Sequence, residues 1–220
     1  MKSIKKSKLP CHEWQKQVFM NPTPLYRYWI EKEEIWLRKN IKRNSLVLDV
    51  GCGYGKDMKL IVDIAKEIYG IDNNREAIKE IRENLSKFKN VKVFLENAQK
   101  MHFRNNIFDY VICMANTFGN FGKSKLKILK EMKRVVKRNG KIIMGIYSEK
   151  ALTARKEAYK KAEEKIKKIT NDGTFYTNGG LISEQFSKER LRNIFERAGL
   201  YIKITELSPI FYICEATKTR

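Results

Sequence analysis

Residues 47–55 read Val-Leu-Asp-Val-Gly-Cys-Gly-Tyr-Gly, an apolar run carrying an acid two positions before the first of three alternating glycines. The run at 46–50 suits a strand buried on both faces of a parallel sheet. Gly51, Gly53 and Gly55 let the chain turn tightly and bring bare backbone against whatever lies beyond that strand. Lys56 then opens a helix. In open α/β sheets, ligands sit outside the carboxyl ends of the strands, where a helix N-terminus offers unpaired N–H groups. The glycine spacing narrows the choice of ligand. A dinucleotide fingerprint, Gly-x-Gly-x-x-Gly, needs glycine at position 56, and Lys56 stands there instead. Asp49 at the strand end repels phosphate but can hold a cation such as an ammonium group, directly or through water.

Further segments follow in order. Residues 68–71 form a second short apolar strand ending in Asp72, roughly 20 residues beyond the first glycine, the offset at which an acid accepts ribose hydroxyls. A solvated turn aspartate is the alternative for that residue alone. A strand at 91–95 leads into Glu96-Asn97-Ala98, residues 108–114 give a fourth strand, and Arg134 to Gly140 precede a fifth at 141–147. Strand and helix patterns alternate from 46 to 147, which predicts a doubly wound, mostly parallel sheet with helices on both faces. Ser187 is a predicted N-cap for a helix at 188–198 closed by Gly199, and residues 200–207 and 210–216 form a strand pair joined through Ser208-Pro209.

The pattern Asp-x-Gly-x-Gly-x-Gly at 49–55, with the ordered segments that follow it, resembles the class I S-adenosylmethionine-dependent methyltransferases. That resemblance implies a Rossmann-like α/β fold with seven strands and an antiparallel C-terminal strand. It implies S-adenosyl-L-methionine as cofactor, leaving as S-adenosyl-L-homocysteine. The cofactor-binding residues would be Asp49, Gly51, Cys52, Gly53, Gly55, Asp72, Asn73, Asn97, Ala98 and Met114. Methyltransferases of this class commonly place Asp-Ala where this chain has Asn97-Ala98; an amide oxygen can accept from an adenine amino group as a carboxylate does.

After the fourth strand, Met114-Ala115-Asn116-Thr117-Phe118-Gly119-Asn120-Phe121 is similar to the Gly-Asn-Ser-Phe stretch of glycine and sarcosine N-methyltransferases. By that match Asn116 faces the methyl acceptor, with Asn120 nearby; an asparagine-rich turn is the alternative. Those enzymes offer an arginine after the fifth strand to grip a carboxylate. Here Ile146-Tyr147-Ser148 occupies that place, which argues against glycine as the substrate. Methyl transfer from a sulfonium needs alignment and exclusion of water more than acid–base machinery. Tyr147, Tyr176, His102 and Glu184 are the available bases should a hydroxyl acceptor need one. Residues 26–41 read as an aromatic-rich amphipathic helix, and 151–169 as a charged helix followed by a hairpin around Asn178-Gly179 in 173–181. In the family, segments at these places cover the active site and choose the substrate. This assigns 1–43 as a helical cover and 151–181 as a lid insertion, with Tyr26, Tyr28, Trp29 and Tyr176 as pocket walls, although aromatic residues at helical spacing are more often core.

The 220 residues, 42% of them hydrophobic, can bury a sizeable core, and no repeat or linker divides them, so one domain over 1–220 is expected. The lysine-rich segment 1–9 is not followed by a signal-peptide apolar region, and no run is long enough to span a membrane; the expected location is the cytoplasm. Cys11, Cys52, Cys113 and Cys214 are scattered without a Cys-x-x-Cys pair, and Cys11-His12 finds no second ligand pair, so no metal is expected. A formal net charge of +21 draws a protein towards phosphate-rich partners. The lysines are nevertheless spread with glutamates and lack interleaved aromatics for base stacking, as a solvated face would be. The sequence therefore points to methyl transfer onto a nitrogen or oxygen of a small polar molecule. Its rivals are an RNA or protein methyltransferase that uses the basic surface and a non-catalytic cofactor-binding module. The sequence does not reveal the oligomeric state.

Overall fold

The computed structural model describes residues 11–219, with side chains from Lys16 onward. The arm at 1–9 and the side chains of Cys11 and His12 lie outside the described residues.

Seven strands form the main sheet: β1 (Leu46–Val50), β2 (Glu67–Asp72), β3 (Val91–Leu95), β4 (Phe108–Cys113), β5 (Val136–Tyr147), β9 (Leu200–Ser208) and β10 (Phe211–Lys218). Their order is β3-β2-β1-β4-β5-β10-β9, parallel from β3 to β5, with β10 antiparallel to both neighbours. β1 lies at the point where the order reverses, so the crevice beyond its carboxyl end is where such a sheet takes ligand. The apolar runs produce this sheet by alternation. Val47, Ile112, Ile143 and Tyr147 face one layer, and Leu48, Val111, Ile142 and Ile146 face the other. Asp49 therefore points with Val47 towards the first layer.

Among the described residues, seven α-helices flank the sheet: α1 (Cys11–Met20), α2 (Pro24–Asn40), α3 (Lys56–Ile61), α4 (Arg75–Asn84), α5 (Lys125–Val135), α6 (Leu152–Lys161) and α7 (Lys188–Arg197). Two helix starts, those of α4 and α7, carry side-chain caps. The Asn74 side chain accepts from the amides of Glu76 and Ala77, and Ser187 accepts from Arg190 at 3.1 Å, as its position predicted. α2 is more than a cover. Tyr26, Trp29, Glu33 and Leu37 form its buried face, and Trp29 packs on Phe211 and Tyr147 with ring centroids 4.3 and 5.4 Å apart. Burying an aromatic of this size removes on the order of 200 Å² from water, about 5 kcal/mol at ~25 cal/mol per Å². That makes α2 a core element.

One expectation fails. The charged helix predicted over 151–169 ends at Lys161, and the chain then forms β6 (Ile166–Ile169). β6 pairs antiparallel with β7 (Phe175–Thr177), which pairs with β8 (Ile182–Ser183). The lysine-rich sequence favours helix only weakly, and strand pairing overrides it. The expected hairpin is present, and β6 turns it into a small three-stranded sheet.

Candidate active site

The loop after β1 carries Gly51, Gly53 and Gly55 at φ of +74°, +50° and +75°, and α3 begins at the next residue. Asp72, at the end of β2, ties this loop to its own. One carboxylate oxygen accepts from the Gly53 amide at 2.9 Å, the other from the Asn74 amide at 2.9 Å. A cavity of about 660 Å³ opens beside them at the carboxyl edge of the sheet.

The sequence-predicted residues distribute as follows. Gly51, Cys52, Gly53, Asp72 and Asn73 line the cavity from the first two strand ends, and Asn97 and Ala98 from the third. Met114, Asn116 and Asn120 line it after β4, and Tyr147 after β5. Asp49 and Gly55 sit behind the wall, Asp49 being 2% exposed. The Asn97 side-chain oxygen already accepts from the Gln99 amide at 2.9 Å, a local turn.

Three expected tyrosines fall elsewhere. Tyr26 is fully buried behind Tyr147 and reaches the cavity only through it, its phenol donating to the Tyr147 oxygen at 2.9 Å. Tyr28 points outward from α2 with Lys32 over its ring, because the helical period puts Tyr26 and Trp29 on the core side. Tyr176 is exposed, since alternation along β7 turns Phe175 and Thr177 inward. Of the other candidate bases, exposed His102 lies 2.6 Å from Glu96 outside the cavity wall. Buried Glu184 is paired with Lys125 and Arg190.

Asn116 lines the cavity and is also tied to the backbone on both sides. It is 1% exposed, its side-chain oxygen accepts from the Tyr147 amide at 3.0 Å, and its side-chain nitrogen donates to the Glu184 carbonyl at 3.1 Å. The side chain thus cross-braces the ends of β4, β5 and β8.

Sequence reasoning missed Glu33. This α2 residue is fully buried, and its Oε1 accepts from the Ala115 amide in the cavity wall at 3.2 Å. Its Oε2 and the Oδ2 of Asp49 have no hydrogen-bond partner among the described residues. Burial, with Asp57 beside it, pushes the Glu33 carboxyl up to about 8 against the opposing pull of Lys56. Asp49 is raised well above the ordinary carboxylate range by burial and then by Asp57. The available signal was periodicity: Glu33 occupies the stripe 26-29-33-37, whose other members are aromatic or apolar. Tyr159 of α6 also lines the cavity. Among the described residues, no group of three or more His, Cys, Asp or Glu is placed to hold a metal ion. No helix among them is long and apolar enough to cross a membrane.

A parallel sheet reversing at β1, a glycine loop over a cavity and an acid at the end of β2 are the features with which an open α/β sheet takes a ligand. Comparison with known proteins makes the class specific. A family model described as a methyltransferase domain matches residues 41–199, and the chain belongs to that family, the class I S-adenosylmethionine-dependent methyltransferases. It is an enzyme, and its methyl donor is S-adenosyl-L-methionine. The chain is 31% identical over 137 residues to a demethylmenaquinone methyltransferase of Geobacillus sp., covering 58% of this chain and 56% of that protein. It therefore spans little more than half of that relative. The solved structure of the Pyrococcus horikoshii protein PH0226 superposes with TM-score 0.72 at 25% identity, covering 90% of this chain and 93% of that one. The Burkholderia thailandensis 1,6-didemethyltoxoflavin-N1-methyltransferase, solved with its acceptor and S-adenosylhomocysteine, shares the fold. Its TM-score is 0.69 at 11% identity, covering 94% and 83%.

Proposed function

We propose that this methyltransferase acts on a nitrogen or oxygen of a small polar molecule, within the cavity at the carboxyl edge of the sheet. The observation that carries this reading is the cavity's size. About 660 Å³ lies within the range of small-molecule sites, roughly 300–1,000 Å³, and cofactor and acceptor must share it. The residues present fit the cofactor. Asp72 spends one lone pair of each oxygen on backbone amides and keeps others for a ribose. The unpartnered buried oxygens of Asp49 and Glu33 supply negative charge for an ammonium group. A side chain on Gly53 would meet no protein atom within 4 Å, so its bare backbone leaves room for a ligand. In this assignment Gly51, Cys52 and Gly53 border the methionine portion, Asn73 assists at the ribose, Asn97 and Ala98 meet the adenine, and Met114 closes the wall beside them.

When bound, S-adenosylmethionine supplies a methyl group already activated by the positive charge on its sulfur. The protein's task is then to align the acceptor and exclude water. Tyr147 accepts from Tyr26 and retains its own proton to donate into the cavity; burial raises its pKa, so it acts as a donor and not as a base near neutral pH. Asn116 is a positioning residue that fixes Tyr147 through its backbone amide. Asn120, half-buried in the wall, offers an amide to the acceptor.

A macromolecular acceptor is the second reading, favoured by the +21 charge. The cavity weighs against it: its lysines are Lys16 and Lys56, paired with Glu80 and Asp57 at 2.7 Å. The names of the relatives point to demethylmenaquinone and didemethyltoxoflavin as acceptors of those proteins, each a small molecule. Buried unpaired Cys52, Cys113 and Cys214 suit a cytoplasmic location. The test is transfer of a labelled methyl group from S-adenosylmethionine to a small-molecule extract, in parallel with RNA and protein fractions. Label in low-molecular-weight product supports the reading. Label confined to RNA or protein overturns it.

A further inference from the structure

Glu33, one of whose carboxyl oxygens is buried without a partner, sits at the junction of the elements around the cavity. Its Oε1 holds the Ala115 amide, and a side chain on Gly145 would run into that same oxygen. Both contacts fix the carboxyl against the ends of β4 and β5, on the sheet face that also carries Asp49. The charged and titratable groups around it come from every neighbouring element. They are Glu34 on its own helix, Asp49 on β1, Lys56 and Asp57 on α3, and Tyr147 on β5, with Arg155 and Tyr159 of α6 beyond the Tyr26–Tyr147 pair.

The balance of this group is uneven. Glu33, Asp49 and Asp57 are three buried carboxyl groups around one ammonium, Lys56, which hydrogen-bonds Asp57 at 2.7 Å. Glu33 Oε2 and Asp49 Oδ2 are both buried without a partner. An ionised carboxylate cannot stay dry and unpaired at small cost, so such a group keeps its proton until a cation arrives. A cofactor with an ammonium group at one end provides that cation.

We propose that Glu33, buried just behind the wall at Ala115, is a charge partner for the positively charged end of the cofactor, releasing its proton to solvent when the cofactor binds and recovering it when the ligand leaves. This rests on the assignment of the cavity as the cofactor site. Proton release and ligand affinity are then linked. With its carboxyl pushed up to about 8, Glu33 is about one-tenth ionised at pH 7 and nine-tenths at pH 9, so the competent form rises about tenfold across that interval.

Calorimetry of S-adenosylhomocysteine binding to the full chain at pH 7, in phosphate and in Tris, counts the protons released. The wild type is expected to release at least half a proton more than Glu33→Gln. Between pH 7 and pH 9 the wild-type affinity should gain about tenfold on that of the variant. Reading the ratio of the two proteins cancels the titration of the ligand's own amino group. Equal proton release by both, or a ratio independent of pH, overturns the proposal; so does release that survives in Glu33→Gln and vanishes in Asp49→Asn. Should Glu33→Gln fail to fold, the wild type and Glu33→Asp decide: absence of buffer-dependent heat in the wild type overturns the proposal, as does release that Glu33→Asp leaves unshifted in pH, while release that Glu33→Asp shifts in pH supports it. Normal binding of the ligand by Gly53→Val would instead overturn the cavity assignment, and the proposal with it.

Discussion

The Tyr26 phenol on α2 donates a 2.9 Å hydrogen bond to the Tyr147 phenol at the end of β5. The core-packed helix thereby orients a hydroxyl in the cavity wall. Tyr147→Phe removes the donor itself and should lower kcat at least tenfold while leaving S-adenosylhomocysteine affinity within about threefold. Tyr26→Phe removes only the orienting bond, at about 1 kcal/mol of stability, and should lower kcat less. Initial rates with the acceptor found by label transfer, beside calorimetry, separate the two. A larger loss from Tyr26→Phe than from Tyr147→Phe would reverse the assignment.

The glycines of the first loop are expected to separate by cause. A side chain on Gly51 would strike Thr117, and one on Gly55 would strike Ile81, so alanine at either should lower the melting temperature. A side chain on Gly53 meets no protein atom, and its cost to folding is the strain of φ +50°, about 1 kcal/mol. Gly53→Val should nevertheless abolish cofactor binding by filling ligand space. Melting curves with and without S-adenosylhomocysteine show both effects. A ligand-induced shift in Gly53→Val equal to that of wild type would remove this loop from the site.

Asp72 serves the loop and the ligand together. Asp72→Ala should weaken cofactor binding by roughly 1.5–3 kcal/mol, the scale of lost charge-assisted hydrogen bonds. It also releases the amides of Gly53 and Asn74, so their protection from hydrogen exchange should fall in the free protein. Unchanged calorimetric affinity would exclude the ribose role.

What the sequence made legible tracks how local each signal is. Residues 91–95 are predicted and observed as the same strand, and Asp49 to Gly55 mark the turn into α3, because alternation, glycine and capping act within a few positions. β6 was hidden because the helical preference of a lysine-rich stretch is decided against by pairing across a turn with Phe175–Thr177. Glu33 was hidden because the run Glu31-Lys32-Glu33-Glu34 resembles any solvated helix face; only the buried stripe from Tyr26 to Leu37 distinguishes it. Asn116 was visible as a polar residue after β4, but its two backbone partners, Tyr147 and Glu184, are 31 and 68 residues away.

For Asn116 those partners change the expected outcome of substitution. Asn116→Ala leaves the Tyr147 amide and the Glu184 carbonyl without their side-chain partner in a buried setting, so stability should fall by about 2–4 kcal/mol. Asn116 also has φ +59°, a conformation asparagine tolerates better than alanine. Denaturant unfolding measures the loss. A loss under 0.5 kcal/mol with activity abolished would return Asn116 to direct contact with the acceptor.

The buried carboxyl of Glu33 carries a pH signature in the free protein. Its pKa stands at about 8 in the fold, mainly through burial, against about 4.5 in a solvated chain. Between those values the folded state holds a proton that the unfolded state lacks. Stability therefore falls as pH rises from about 4.5 to 8, and the cost is complete above 8. Glutamine matches the protonated carboxyl in shape and keeps an oxygen for the Ala115 amide. Without cofactor, Glu33→Gln should be near neutral in stability at pH 5 and stabilising by on the order of a few kcal/mol at pH 9. Thermal melts of both proteins across that range give the difference directly. A variant equally stable or less stable than wild type at pH 9 would show that Glu33 is not the strained acid at this site.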